Sequence, residues 1–184
     1  MTDQVSPSIN FRHELFWLIR EVPFSPYQHG IGAYELNTAE TLGFNASFEV
    51  IDDYLFLKTL ITTHDDKYVA RLHETPNQTN EIPVETNIND PFSLAVNTAK
   101  SGPPPILNNL KPQKIDGQQW AYENINMPLN YTGSLLLSSR EMTESTYYDE
   151  SFQAPDGWLL TCNNGQITKL TKIENIDTFF VSQS

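Results

Sequence analysis

Phe44-Asn45-Ala46-Ser47-Phe48-Glu49-Val50-Ile51-Asp52-Asp53-Tyr54-Leu55-Phe56-Leu57-Lys58-Thr59-Leu60-Ile61-Thr62-Thr63 decides the fold class. Phe48 and Val50 alternate with other residues ahead of Asp52-Asp53, and Leu55 and Leu57 resume the alternation after it. Successive side chains on a strand point to opposite faces, so this spacing lays one apolar row on each of two strands. Phe56, Leu60 and Ile61 continue the apolar content. The reading is a β-hairpin with an acidic turn. Asp-Asp lacks the glycine of the best type I′ turns, which leaves the turn open between two residues and a slightly longer loop.

The C-terminal third follows the same logic. Trp158 to Cys162 and Gln166 to Ile173 flank Asn163-Asn164-Gly165, and Asn-Gly is the strongest two-residue hairpin signal in the chain. Tyr131 and Leu135 to Leu137 read as a further strand after Met127-Pro128, and Phe179-Phe180-Val181 as a final edge strand. His13 to Phe24 is apolar on every side through Leu15, Phe16, Trp17, Leu18, Ile19 and Val22, and stops at Pro23 and Pro26. Ser8 offers a helix cap there, yet the aromatic content favours a buried strand; residues 11–22 stay open between the two, leaning to strand.

Residues 73–90, with Pro76 and Pro83, read as a loop, and Asp90-Pro91 opens a short helix that Gly102 closes. Pro103-Pro104-Pro105 and Pro112 make 101–117 a stiff Pro-rich surface connector in preference to a ligand for SH3-like or WW-like domains. Residues 1–10 are polar and expected to be flexible. The expected architecture is therefore mainly β. A single antiparallel β-rich domain spans 1–184, sandwich- or barrel-like, with one or two short helices. Pro128, Lys169 and Lys172 stand where exposed strand edges need protection.

Composition narrows function. The 184 residues include 23 acidic and 11 basic side chains, for a net charge of -12, while 39% hydrophobic content suffices for a packed core. That balance argues against phosphate neutralisation, hence against nucleic acid, and against anionic membrane surfaces. The early apolar run Leu15 to Ile19 is too short to span a bilayer, and no signal-peptide pattern precedes it, so a cytoplasmic setting is expected. Cys162, the one cysteine, excludes an internal disulfide and a multi-cysteine zinc site. No G-x-S-x-G, phosphate-cradling loop or dinucleotide fingerprint occurs, so no cofactor is expected.

Two clusters carry the remaining chemistry. His64-Asp65-Asp66 and His73-Glu74 hold imidazole and carboxylate ligands suited to zinc, manganese or iron, so His64, Asp66 and His73 are the candidate metal ligands of an alternative reading, a metal-assisted hydrolase. Tyr147, Tyr148 and Trp158 lie near Asp149 and Glu150, and aromatic anchors rimmed by carboxylates suit a basic protein partner. The leading expectation is a non-enzymatic binding protein, for instance an immunity-type inhibitor that caps a basic partner. A nucleic-acid mimic ranks below both, because the acidic share is ordinary.

Gly43-Phe44-Asn45-Ala46-Ser47-Phe48-Glu49-Val50-Ile51-Asp52-Asp53-Tyr54-Leu55-Phe56-Leu57 resembles a hairpin of small uncharacterised bacterial β-rich proteins. Met127-Pro128-Leu129-Asn130-Tyr131-Thr132-Gly133-Ser134-Leu135-Leu136-Leu137 is similar to their later strand with its Pro-x-x-x-x-Gly-x-Leu start. Leu42 stands where those proteins commonly carry an arginine. The resemblance implies a bacterial β-rich domain and assigns no catalytic residue.

Overall fold

The computed structural model describes residues 6–19, 21–35, 42–71, 102–142 and 153–181. Ten strands run through them: β1 (Ser8–Phe11), β2 (Glu14–Ile19), β3 (Phe44–Ile51), β4 (Tyr54–Thr63), β5 (Gln113–Asp116), β6 (Gln119–Tyr122), β7 (Met127–Pro128), β8 (Gly133–Ser138), β9 (Gly157–Asn163) and β10 (Gln166–Ile173). A 3₁₀ turn covers Pro26–His29, and the described residues also hold two short helices, α1 (Asp66–Arg71) and α2 (Ile176–Val181).

Seven strands in the order β10-β9-β8-β2-β1-β3-β4 close into a barrel. Every pairing in it is antiparallel except β1 with β3, which is parallel, Ile9 facing Phe48. Closure rests on one short contact between two hairpin ends: Gln166 pairs with Tyr54, the Leu55 N–H donates to the Gly165 carbonyl at 2.9 Å, and the Ile167 N–H donates to the Asp53 carbonyl at 2.7 Å. β4 is longer than this contact. Its free edge is taken next by β7, through Phe56–Pro128 and Leu57–Met127, and then by β6, with β5 beyond.

The acidic hairpin forms with a two-residue turn. Asp52 and Asp53 both take positive φ, 49° and 63°, as do Asn164 and Gly165, 47° and 81°, the backbone of type I′ turns that match strand twist. Between Ser47 and Phe48 the register slips by one against β4, so Lys58 is the extra residue. That bulge explains the pattern: Leu55 and Leu57 face the core, and after the slip Leu60 and Thr62 do. Lys58 is turned outward to Glu49 at 2.9 Å and to the Asn126 Oδ1 at 3.0 Å. Ile9, Phe48, Leu55, Leu57, Leu135, Leu137 and Leu160 fill the interior with almost no exposure. Each such burial contributes about 1.5–3 kcal/mol.

Four sequence expectations change. Residues 11–22 do carry the strand the reading leaned to, β2, but only over Glu14–Ile19, because Arg12 and His13 make a third left-handed turn at φ 55° and 68° that separates Phe11, the end of β1, from it. The Phe179-Phe180-Val181 stretch is helical, not an edge strand: Asn175 Oδ1 accepts the Asp177 N–H at 2.9 Å at the start of α2, and Ile176 is buried. The 101–117 stretch is more than a surface connector. Pro104 and Leu107 are buried, Leu107 bridges Leu110, the Tyr122 phenol donates to the Pro105 carbonyl, and the stretch ends in β5. Tyr131 precedes its strand, which begins at Gly133. Lys169 and Lys172 lie on β10, whose outer edge past Gln166 has no strand partner among the described residues. The expected loop 73–90 and the body of the helix opened at Asp90-Pro91 lie outside the described residues. No helix among those described is long and apolar enough to cross a membrane.

Candidate functional site

Where β4 passes beyond the barrel closure, the chain leaves a cleft of about 530 Å³ between two segments, 22–29 and 127–132, the second of which begins with β7. That size falls in the range of small-ligand and side-chain pockets, roughly 300–1,000 Å³. The first wall begins as β2 ends. Pro23 and Phe24 turn inward, and Pro26, buried, opens the 3₁₀ turn that carries Gln28 and His29 to the cleft. Proline there needs no N–H partner and presets φ, which is why a one-turn helix starts at that point.

The second wall is pinned at four points. Met127 and Pro128 pair with β4, the Leu129 N–H donates to the Leu55 carbonyl at 2.9 Å, the Tyr131 carbonyl accepts the Gly165 N–H at 2.8 Å, and the Thr132 Oγ1 accepts the Asn164 N–H at 2.9 Å. Both β4 and the Asn-Gly turn therefore brace this wall.

The titratable groups of the cleft are set by their surroundings. His29 lies nearly parallel to Phe24, ring centroids 5.0 Å apart, and burial lowers its pKa, so the imidazole is neutral at pH 7. The Tyr131 phenol donates to the Glu21 Oε2 at 2.6 Å, with the Ser134 carbonyl 3.3 Å away. Burial first, then the Glu21 hydrogen bond and charge, push its pKa above the usual phenol value. Nearby Cys162, 2% exposed, has its thiol pushed up to about 11 by burial. A thiol held protonated is a poor nucleophile.

No family model, curated protein or solved structure matches this chain. The site is read from its own residues.

Of the candidates named from the sequence, Trp158, His64 and Asp66 do not line the cleft. Tyr147, Tyr148, Asp149 and Glu150 lie outside the described residues. Trp158 sits half-buried on β9, edge-on to Phe11 at 5.8 Å, with the Arg12 guanidinium 4.8 Å above its ring. Its indole is thus engaged within the chain by a cation–π contact. His64 is buried at the end of β4: its Nδ1 accepts the Gly32 N–H at 3.0 Å and its Nε2 faces the Asp66 Oδ1 at 3.1 Å. With Nδ1 accepting, the ring proton belongs on Nε2, which donates to Asp66. Both nitrogens then serve a latch that ties the 31–34 segment to the barrel, helped by the Asp65 N–H to the Gly32 carbonyl at 2.9 Å. His73 lies outside the described residues, and no group of three or more metal-ligating side chains gathers among those described. The cleft itself escaped sequence reasoning; its one signal was Pro23, Pro26 and Pro128 interrupting apolar runs.

Proposed function

We propose that the protein is a non-enzymatic binding protein that holds a basic protein partner, in the manner of an immunity protein capping a toxin, and that the cleft seats an anchor side chain of that partner. The cleft carries this reading: it offers a braced, ligand-sized recess whose phenol and thiol neighbours are held in their protonated, unreactive forms. Catalytic sites shift pKa values toward the working pH, and here burial shifts Tyr131 and Cys162 away from it. The charge of -12 supports a cationic partner, because opposite charge speeds encounter and weakens with salt.

Affinity capture from the native host tests the reading. The immobilised protein is expected to retain a basic partner at low salt and release it at high salt. Gln28→Trp, which fills the cleft from an exposed position, is expected to abolish retention while leaving the thermal midpoint unchanged. A partner held equally by Gln28→Trp and insensitive to salt refutes the proposal.

A further inference from the structure

Asn164-Gly165 is the one Asn-Gly pair in the chain, and it sits at the seam where β10 meets β4. Asparagine before glycine is prone to spontaneous deamidation, because glycine has no side chain to shield its own backbone nitrogen. That nitrogen loses its proton and attacks the asparagine Cγ, a five-membered succinimide closes, and the side-chain nitrogen leaves as ammonia. Water then opens the ring. Cleavage of the bond to Cγ gives aspartate. Cleavage of the bond to the main-chain carbonyl gives isoaspartate, whose backbone runs through Cβ and is one methylene longer.

Asn164 is exposed, so water reaches its side chain. The attacking nitrogen is held. In a two-residue hairpin the turn's own hydrogen bonds join the flanking pair, here Asn163 and Gln166, and leave the N–H of the second turn residue unused. In this fold the Gly165 N–H donates to the Tyr131 carbonyl at 2.8 Å, and the Asn164 N–H donates to the Thr132 Oγ1 at 2.9 Å. Gly165 is buried, and its carbonyl accepts the Leu55 N–H at 2.9 Å. A succinimide cannot close while the Gly165 proton is bound to Tyr131. We propose that Asn164-Gly165 is a latent deamidation site gated by local opening of the barrel seam, and that its isoaspartate product holds the seam open. The site leaves no slack for a longer turn: Asn164 and Gly165 hold φ at 47° and 81°, and a Cβ at Gly165 meets the Leu129 carbonyl oxygen at 1.8 Å. A backbone lengthened by one methylene loses the bonds to Tyr131 and Leu55 or the pairing of Asn163 with Gln166. Aspartate tolerates the left-handed conformation and keeps the turn.

The test follows the whole protein at mildly alkaline pH by peptide mass spectrometry that separates asparagine, aspartate and isoaspartate at 164. The folded protein is expected to deamidate about ten- to a hundredfold more slowly than the same chain unfolded in urea, the factor that opening two hydrogen bonds supports. Thr132→Val, at an exposed position, removes the acceptor of the Asn164 N–H. It is expected to speed the folded reaction about two- to tenfold, with deuterium exchange at the Gly165 amide rising in step. The folded rate is expected to stay flat at low urea, because local opening exposes little surface. The purified isoaspartate form is expected to unfold at lower urea than Asn164→Asp. Equal rates for folded and unfolded chains, no acceleration by Thr132→Val, or a folded rate that climbs steeply with urea overturns the gate. Equal urea midpoints for the isoaspartate form and Asn164→Asp overturn the claim that the product holds the seam open.

Discussion

Gly165→Ala strikes the barrel at its narrowest joint. A Cβ built at Gly165 meets the Leu129 carbonyl oxygen at 1.8 Å, a backbone atom that a rotamer change cannot move. The residue also holds φ at +81°, a region where a side chain costs about 1–2 kcal/mol. Relief of the overlap requires the 129–131 backbone to retreat. That retreat strains three hydrogen bonds: Leu129 to Leu55, Gly165 to Tyr131 and Leu55 to Gly165. Losing two of them removes about 1–3 kcal/mol at about 0.5–1.5 kcal/mol each. The expected total is about 2–5 kcal/mol. Gly117→Ala is the matched control: φ is also positive, +41°, but nothing lies within 4 Å of the added Cβ, so about 1 kcal/mol is expected. Urea titrations read both. With a slope of about 2 kcal/mol/M, Gly165→Ala lowers the midpoint by about 1–2.5 M and Gly117→Ala by about 0.5 M. Equal midpoints for the two variants refute the claim that the close approach of Leu129 to Gly165 is fixed at the barrel seam.

Leu137→Ala, at a fully buried site on β8 between β2 and β9, is expected to cost about 2.7–5 kcal/mol in calorimetry, whereas Leu15→Ala, at a site 55% exposed, stays within about 0.5 kcal/mol. His64→Ala leaves the Gly32 N–H without its acceptor, so about 1–3 kcal/mol is lost and the Gly32 amide exchanges faster with deuterium than in the parent. Burial raises the Cys162 pKa from 9.0 to about 11, so the folded state favours the thiol; stability is full below pH 9 and falls as pH climbs toward 11, by about 2–3 kcal/mol. Cys162→Ala flattens that stretch of the urea-midpoint profile, and native Cys162 that reacts with a thiol reagent at the rate of a free cysteine contradicts the burial argument.

The strands with local signals were legible in the chain itself. Asp52-Asp53 and Asn164-Gly165 place residues tolerant of positive φ between alternating apolar runs, and both hairpins form there. Arg12-His13 takes the same backbone and gave no such signal, since arginine does not favour it and no glycine, asparagine or aspartate marks the pair. What holds that turn is tertiary: the Arg12 guanidinium packs over Phe11 and Trp158, and Trp158 lies far along the chain. The start of α2 rests on Asn175, whose Oδ1 accepts the Asp177 N–H, a signal that the edge-strand reading of Phe179-Phe180-Val181 did not use. The barrel and cleft were illegible for a different reason. Closure depends on Tyr54 meeting Gln166, and the walls of the cleft come from segments a hundred residues apart with no periodicity to connect them. His64 shows another limit: its imidazole is visible in the sequence, but its partners, the Gly32 N–H and the Asp66 carboxylate, are set by the fold.

The seam and the cleft share their atoms, which ties recognition to stability. β10 meets β4 only at Gln166 and Tyr54, so the next stretch of the β4 edge would lie open if nothing covered it. Residues 127–132 fill that gap: Met127 and Pro128 extend the sheet along β4, Leu129 ties it to Leu55 of the same strand, and Tyr131 ties it to the Asn-Gly turn. Pro128, lacking an N–H, suits a two-residue strand with one face on the barrel and the other toward the cleft. A ligand seated against Tyr131 and Asn130 therefore presses on the segment that completes the barrel. Any group that binds there only when 127–132 is in place stabilises the closed form by linkage, in proportion to its occupancy. The wall is stiff because the barrel requires it, and a stiff wall binds without first being ordered.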